Sequence, residues 1–222
     1  MLELTIGNKS YSSWSLRGWL PLAHWQIPFR EKVLNFFTPE FHSEMAQISS
    51  AGLVPVLVDD GFAIWDSLAI AEYLAERFPD RALWPANPRQ RARARSVCAQ
   101  MHAGFTTLRA HMPMNTMASL PGRGWNLAVQ KDIDSITALW TRAIDESGGP
   151  YLFGANVTIA DCFFAPVCSR FATYTPALTT VASSYVQGIL ALPAMQRWYA
   201  EARAEFKFIA EEEPYRASAF EK

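Results

Sequence analysis

The chain has 222 residues, half of them apolar, and 20 basic side chains stand against 21 acidic ones. That length suffices for one large or two modest domains, and a net charge of −1 excludes the basic field with which nucleic-acid-binding proteins neutralise phosphates. The opening MLELTIGNKS has no basic stretch before an apolar run, and no window reaches the roughly 20 apolar residues that span a bilayer. We therefore expect a cytoplasmic protein without a nucleic-acid or membrane partner.

The first predicted elements are a strand and a helix joined by a loop rich in hydroxyl groups. Apolar and polar residues alternate over residues 2–6, and Gly7 to Ser10 break the pattern. Helical spacing of apolar residues runs from about Ser13 to Trp25, where Pro21 would disturb the middle turn unless the helix is short or kinked. The junction offers four hydroxyl side chains: Tyr11, Ser12, Ser13 and Ser15.

The next elements complete an alternating pattern. Residues 29–35 predict a strand, and residues 39–47 a helix capped by Thr38 with proline in its first turn. Two short apolar runs, 56–58 and 62–64, flank an Asp-Asp-Gly turn and predict a hairpin. The resulting order β-α-β-α-β-β-α is thioredoxin-like, with a parallel βαβ unit and an antiparallel hairpin in one mixed sheet.

A helix start after the hairpin has the features of a ligand site. Asp66 and Ser67 precede apolar residues at helical spacing, so either can cap the helix while the other amide donors stay available to an anion. An ordinary N-cap explains such a pair equally well. Upstream, Pro55 follows Val54 at the entrance of a strand, where proline is tolerated.

From residue 89 onward the periodicity is helical. One apolar face continues through Met112, a second helix covers about 126–146, and Thr158 with Asp161 predicts a capping box that starts another. Residues 206–222 predict a surface tail. The three cysteines are expected to be reduced core residues and the four histidines to be packing or surface residues, because neither set has metal-ligand spacing: Cys98, Cys162, Cys168; His24, His42, His102, His111.

The run VPVLVDDG…WDSLAIAEYLAERFP resembles the glutathione-binding half of cytosolic glutathione transferases. The resemblance implies that Val54 pairs through its backbone with the cysteinyl part of glutathione beside a cis Pro55, and that Asp66 and Ser67 hold the γ-glutamyl end. It also implies an α/β thioredoxin-like N-terminal domain (1–80), a linker (81–88) and an all-α C-terminal domain (89–222). Glutathione would be the co-substrate, no metal would be needed, and the chain would form a homodimer.

The same resemblance selects a catalytic hydroxyl. In serine-type members the catalytic residue precedes an arginine of the first helix by five positions, and Arg17 then selects Ser12. The run SSWSLR also resembles the SSCSxR signature of the zeta class, which contains maleylacetoacetate isomerases, with Trp14 where that signature has Cys. Ser13 stays open as a second donor or as a cap of the first helix, and Ser12 as a plain loop hydroxyl.

Thiolate stabilisation is the chemistry that such a hydroxyl would supply. A free thiol has a pKa of about 8.5, and one hydrogen bond to the thiolate, contributing roughly 1.5–3 kcal/mol, lowers that pKa by one to two units. The basic residue that the family often carries before Val-Pro is absent, so His42 is the candidate partner of the glycyl carboxylate. Trp14 and Arg109 are candidate contacts of the second substrate, Arg109 for a carboxylate.

The predicted function is therefore glutathione transfer to a hydrophobic, electrophilic small molecule. Two alternatives stay open. One is a glutathione-dependent cis-trans isomerase of the maleylacetoacetate or maleylpyruvate type. The other is a non-catalytic binding or stress protein with the transferase fold.

Overall fold

A computed structural model describes residues 1–219 of the chain. Four strands form one mixed sheet in the order β2-β1-β3-β4, with β1 parallel to β2 and β3 antiparallel to both β1 and β4. Their bounds are β1 Leu2–Ile6, β2 Arg30–Val33, β3 Val56–Asp59 and β4 Phe62–Trp65. The sheet matches the predicted thioredoxin-like arrangement.

The helices fall into two groups along the chain. Three alternate with the strands: α1 Ser13–His24, α2 Pro39–Ile48 and α3 Ser67–Arg77. Six follow the sheet: α4 Pro88–Ala103, α5 Thr106–His111, α6 Leu127–Ser147, α7 Ile159–Tyr174, α8 Thr180–Leu190 and α9 Pro193–Glu205. Short 3₁₀ turns cover Pro79–Arg81 and Ala210–Glu212. This order confirms the predicted fold class, and we retain the division at residues 81–88 as a proposal.

Several predicted helix starts are present with the expected side-chain caps. Thr38 Oγ1 accepts from the amide of Phe41, and Thr158 and Asp161 form a reciprocal capping box at α7. Helix α1 runs through Pro21 without ending, although this residue cannot donate a backbone hydrogen bond. The neighbouring Leu20 and Leu22 are fully buried, so packing of this turn offsets the missing bond.

Helix α1 packs between the sheet and the helical half of the chain. Trp19 contacts Trp198 of α9 edge-to-face, with ring centroids 5.1 Å apart, and both indoles are fully buried. The Nε of Arg17 donates to the carbonyl of Phe163 on α7 at 3.0 Å. The first helix, which begins at the predicted catalytic loop, is thus held from the side opposite to the sheet.

The continuous helical face predicted from Val97 to Met112 is wrong in one respect, because α4 ends at Ala103. The amide of Gly104 donates to the carbonyl of Gln100 and so closes the last turn of the helix. Phe105 then adopts a left-handed conformation with φ of 53°. The apolar period continues across this break because Phe105 and Met112 are buried on both sides of it.

The prediction of a plain surface tail after α9 is also wrong for part of that segment. Tyr11 donates its hydroxyl to Glu213 Oε1 at 2.8 Å, and Glu213 is 4% exposed. Tyr215 donates to the carbonyl of His111 at 2.7 Å. Polar contacts of this kind have no periodic signature, so the sequence pattern could not show that the segment docks. The last predicted tail residues, 220–222, lie outside the described residues.

Candidate active site

A cleft of about 320 Å³ lies where α1, the segment before β3, the start of α3 and the end of α4 meet. Five residues predicted from the sequence line it together: Trp14, Val54, Pro55, Asp66 and Ser67. Ala51, Leu53, Trp65 and His102 complete the lining. A wider surface depression along α6 contains none of the predicted site residues.

The mouth of α3 supplies both a negative and a neutral polar group to this cleft. Asp66 is the N-cap, and its Oδ1 accepts from the amides of Leu68 at 2.8 Å and Ala69 at 3.4 Å. The Oγ of Ser67 is buried and has no hydrogen-bond partner within residues 1–219. A buried hydroxyl without a partner is costly, and at a helix N-terminus it is placed to bind an anion.

The Val54–Pro55 wall of the cleft depends on a close approach of α1. The peptide bond between these residues is cis, as the family resemblance implied. A Cβ added to Gly18 of α1 would lie 2.8 Å from Pro55 Cγ, so only glycine lets α1 pack this close to the proline. Gly18 is therefore a site-supporting residue that the sequence pattern did not single out.

Ser12 is buried at the start of α1, next to Trp14, and is not itself among the residues lining the cleft. Its Oγ accepts from the amide of Ser15 at 3.2 Å and lies 2.6 Å from Ser15 Oγ. Ser15 Oγ also accepts from the amide of Gly7 at 3.0 Å. The two hydroxyls form a pair in which only one proton lies between the oxygens, so the second can be donated elsewhere.

Three arginines converge behind Ser13 and Trp14. Arg170 Nη2 donates to Ser13 Oγ at 3.3 Å, and the guanidinium groups of Arg17 and Arg109 lie 4.5 and 5.2 Å from the Trp14 ring centroid. Arg17 and Arg170 are buried, and Arg17 Nη2 has no partner in the described chain.

No carboxylate of residues 1–219 lies within ion-pair distance of these arginines, and burial is the first cause that lowers the pKa of each. Burial, with Arg109 as a second cause, lowers the pKa of Arg170 to about 10. Burial and the charges of Arg170 and Arg109 hold the pKa of Arg17 well below its usual range. An anion bound among these groups would relieve the repulsion.

The structure does not bring every predicted residue to the cleft. His42 lies on α2 with its ring 5.7 Å from that of Phe41, is exposed, and does not line the cleft. Conversely, His102 lines it although its sequence spacing gave no indication of a site. Contacts between residues this far apart in the chain depend on tertiary packing, which leaves no local signal.

None of the helices in residues 1–219 combines the length and apolar character required to cross a membrane. No cluster of three or more His, Cys, Asp or Glu side chains there could hold a metal ion. The three cysteines are free thiols in the buried core, as predicted.

Comparison with known proteins agrees with the geometry. The family model for the glutathione S-transferase N-terminal domain matches residues 11–77, and the one for the C-terminal domain matches residues 88–201. The chain belongs to the glutathione S-transferase family. The two matches confirm the predicted family and the predicted enzyme class.

Relatives and solved structures within the glutathione S-transferase family extend over most of the chain. A Caenorhabditis elegans protein named "Probable maleylacetoacetate isomerase" is 32% identical over 72% of this chain and 73% of its own. The maleylacetoacetate isomerase of Rattus norvegicus is 28% identical over 85% of this chain and 87% of its own. A glutathione transferase homolog from Burkholderia, solved with bound glutathione, has a TM-score of 0.72 and 25% identity, covering 91% of this chain and 98% of its own.

Proposed function

We propose that this transferase binds glutathione in the cleft between Trp14 and the start of α3 and stabilises its thiolate with the hydroxyl of Ser12. The observation that carries the binding mode is the buried, unpartnered Ser67 hydroxyl beside the carboxylate of Asp66 at one helix mouth. These two groups match the two charges of an amino-acid end. The γ-glutamyl carboxylate is assigned to Ser67 and the α3 amides, and the ammonium to Asp66.

The remaining parts of glutathione follow from this anchor. Val54, next along the cleft, is assigned to the cysteinyl backbone, as in the family resemblance. The sulfur is then assigned to the start of α1. Ser12 Oγ donates to Ser15 Oγ in the structure. When the thiolate binds, this bond reverses, so that Ser15 donates to Ser12 and Ser12 donates its proton to the thiolate. His42 is proposed as the partner of the glycyl carboxylate from helix α2, where it is exposed and lies outside the residues that line the cleft.

The catalytic assignment is tested by replacing each hydroxyl separately. Ser12→Ala should lower kcat for a chlorodinitrobenzene at least about tenfold, because losing a hydrogen bond to the thiolate raises the thiol pKa by one to two units. Glutathione affinity, measured by calorimetry, should change little. Ser13→Ala is the matched control, and a larger effect there than at Ser12 would transfer the role to Ser13.

A cis-trans isomerase is the second candidate function, favoured by the arginine cluster of Arg17, Arg109 and Arg170. A substrate with carboxylates next to a conjugated double bond would form ion pairs with these guanidinium groups, of which Arg17 and Arg170 are buried. Such an isomerisation requires reversible addition of the thiolate to the double bond and rotation about the single bond formed. Ser12 would serve both reactions in the same way.

Arg109 distinguishes the two reactions, since it is half-buried and stacks on the ring that lines the cleft. Arg109→Met should lower kcat/KM for a cis-dicarboxylate keto acid about tenfold or more and leave conjugation of an uncharged electrophile within about twofold. The two rates are measured spectrophotometrically on the same preparation. Equal losses for both substrates, or no isomerisation by the unsubstituted protein, would reject the isomerase.

We further propose a cytoplasmic homodimer that acts on a hydrophobic, electrophilic second substrate. Support for association comes from the β4 edge of the sheet, where Phe62 is 66% exposed and Trp65 44%. Sedimentation velocity gives the oligomeric state directly.

A further inference from the structure

The imidazole of His102 reaches the helix-α3 mouth from the other half of the chain. Its Nε2 lies 2.6 Å from Asp66 Oδ2, and both side chains line the cleft. A carboxylate can only accept, so the imidazole nitrogen donates. The ring also packs on Trp14, with centroids 5.1 Å apart and an interplanar angle of 60°, so its position is fixed from a second side.

The two oxygens of Asp66 therefore have separate tasks. Oδ1 caps α3 through the amides of Leu68 and Ala69, whereas Oδ2 bonds only to His102 among the described residues. The backbone of Asp66 has φ of 74°, a conformation that side-chain-bearing residues rarely adopt. Because the side chain is 43% exposed, Oδ2 keeps accepting capacity on the cleft side.

We propose that His102 is a positioning residue that aims Asp66 Oδ2 at the ammonium group of the γ-glutamyl end of glutathione. This inference rests on the proposed function. It assigns to His102, a residue of α4, part of the preference of the cleft for thiols that carry the γ-glutamyl amine. A carboxylate held by a cap on one oxygen and an imidazole on the other loses less rotational freedom when it pairs with an ammonium group. This gain in binding affinity applies only to thiols that carry the γ-glutamyl amine, because only they pair with Asp66.

The test compares two thiols in kinetics with a chlorodinitrobenzene. One is glutathione, and the other is glutaryl-cysteinyl-glycine, the same molecule without its α-amino group. His102→Ala should raise the KM for glutathione about fivefold and leave kcat within about twofold, because the pairing strengthens binding and not the chemical step. The KM for the deaminated thiol should stay unchanged.

Two further variants separate positioning from packing. His102→Gln retains an N–H donor and should recover part of the glutathione affinity that His102→Ala loses. If the alanine variant lost affinity only because the packing of the imidazole was lost, a donor would not restore it. His111→Ala is the matched control and should change neither KM, because the exposed imidazole of His111 bonds to the carbonyl of Thr107 in its own helical turn and does not line the cleft. Thermal unfolding of each variant establishes that the proteins compared are folded.

Equal increases of KM for both thiols in His102→Ala would overturn the inference, and so would a decrease for glutathione, which would mean that His102 competes with the ammonium. Failure of the unsubstituted protein to bind glutathione in calorimetry would overturn the proposed function as well. If the unsubstituted protein prefers glutathione to the deaminated thiol and His102→Ala retains that preference, only the role of His102 is lost.

Discussion

In the proposed mechanism, the hydroxyl of Ser15 controls how readily Ser12 can donate to a thiolate. Both side chains are buried, and their oxygens are 2.6 Å apart. When Ser15 donates to Ser12, the proton of Ser12 is available to the sulfur, so the second serine supports the first. Ser15 also accepts from the amide of Gly7 and thereby joins the end of β1 to the catalytic loop.

Ser15→Ala should therefore lower kcat about threefold to tenfold and raise the apparent thiol pKa in the pH profile of kcat/KM, though less than Ser12→Ala does. The free energy of unfolding should also fall by about 1–3 kcal/mol, because the Gly7 amide loses its acceptor. Ser96→Ala, an exposed serine of α4, is the matched control. A destabilised protein with an unchanged pH profile would limit Ser15 to a structural role.

At the scale of elements, the sequence predicted those turns and helix starts that depend on residues close together in the chain. The Asp-Gly hairpin turn, the threonine caps of α2 and α7 and the Asp66 cap of α3 each involve residues within four positions of one another, and all are present. The same locality placed Asp66 and Ser67 correctly at a helix mouth. The family resemblance, and not periodicity, supplied the proposed roles of Val54 and Ser12.

Elements fixed by distant contacts could not be predicted in the same way. The break between α4 and α5 leaves the apolar period intact, so spacing alone predicted one helix. His102 and Asp66 are 36 positions apart, and Arg170 meets Ser13 across 157 positions. No pattern within one helix states which residue of another helix it will contact, and for that reason the arginine cluster and His102 became visible only in the folded chain.

At the scale of the whole molecule, the last helix holds the loop that precedes Ser12, the proposed catalytic residue. Glu205 of α9 accepts from the amide of Lys9 at 2.9 Å and from the side-chain amide of Asn8. The Trp198 indole donates to the carbonyl of Lys9 at 3.0 Å, and the buried Lys9 ammonium pairs with Glu31 at 2.6 Å and with Glu201. The opening loop is thus bonded to the sheet half and to the C-terminal helix together.

Glu205→Ala should loosen this loop, because it removes the acceptor of the Lys9 amide and leaves the Asn8 side-chain amide with Asn35 as its acceptor. We expect the free energy of unfolding to fall by about 1–3 kcal/mol and kcat to fall more than the glutathione KM rises, since the binding cleft at α3 lies on other elements. Denaturant unfolding and steady-state kinetics measure the two effects. Glu211→Ala removes an exposed glutamate of the C-terminal segment and serves as the control. Stability lost without a loss of kcat would show that Ser12 keeps its place independently of α9.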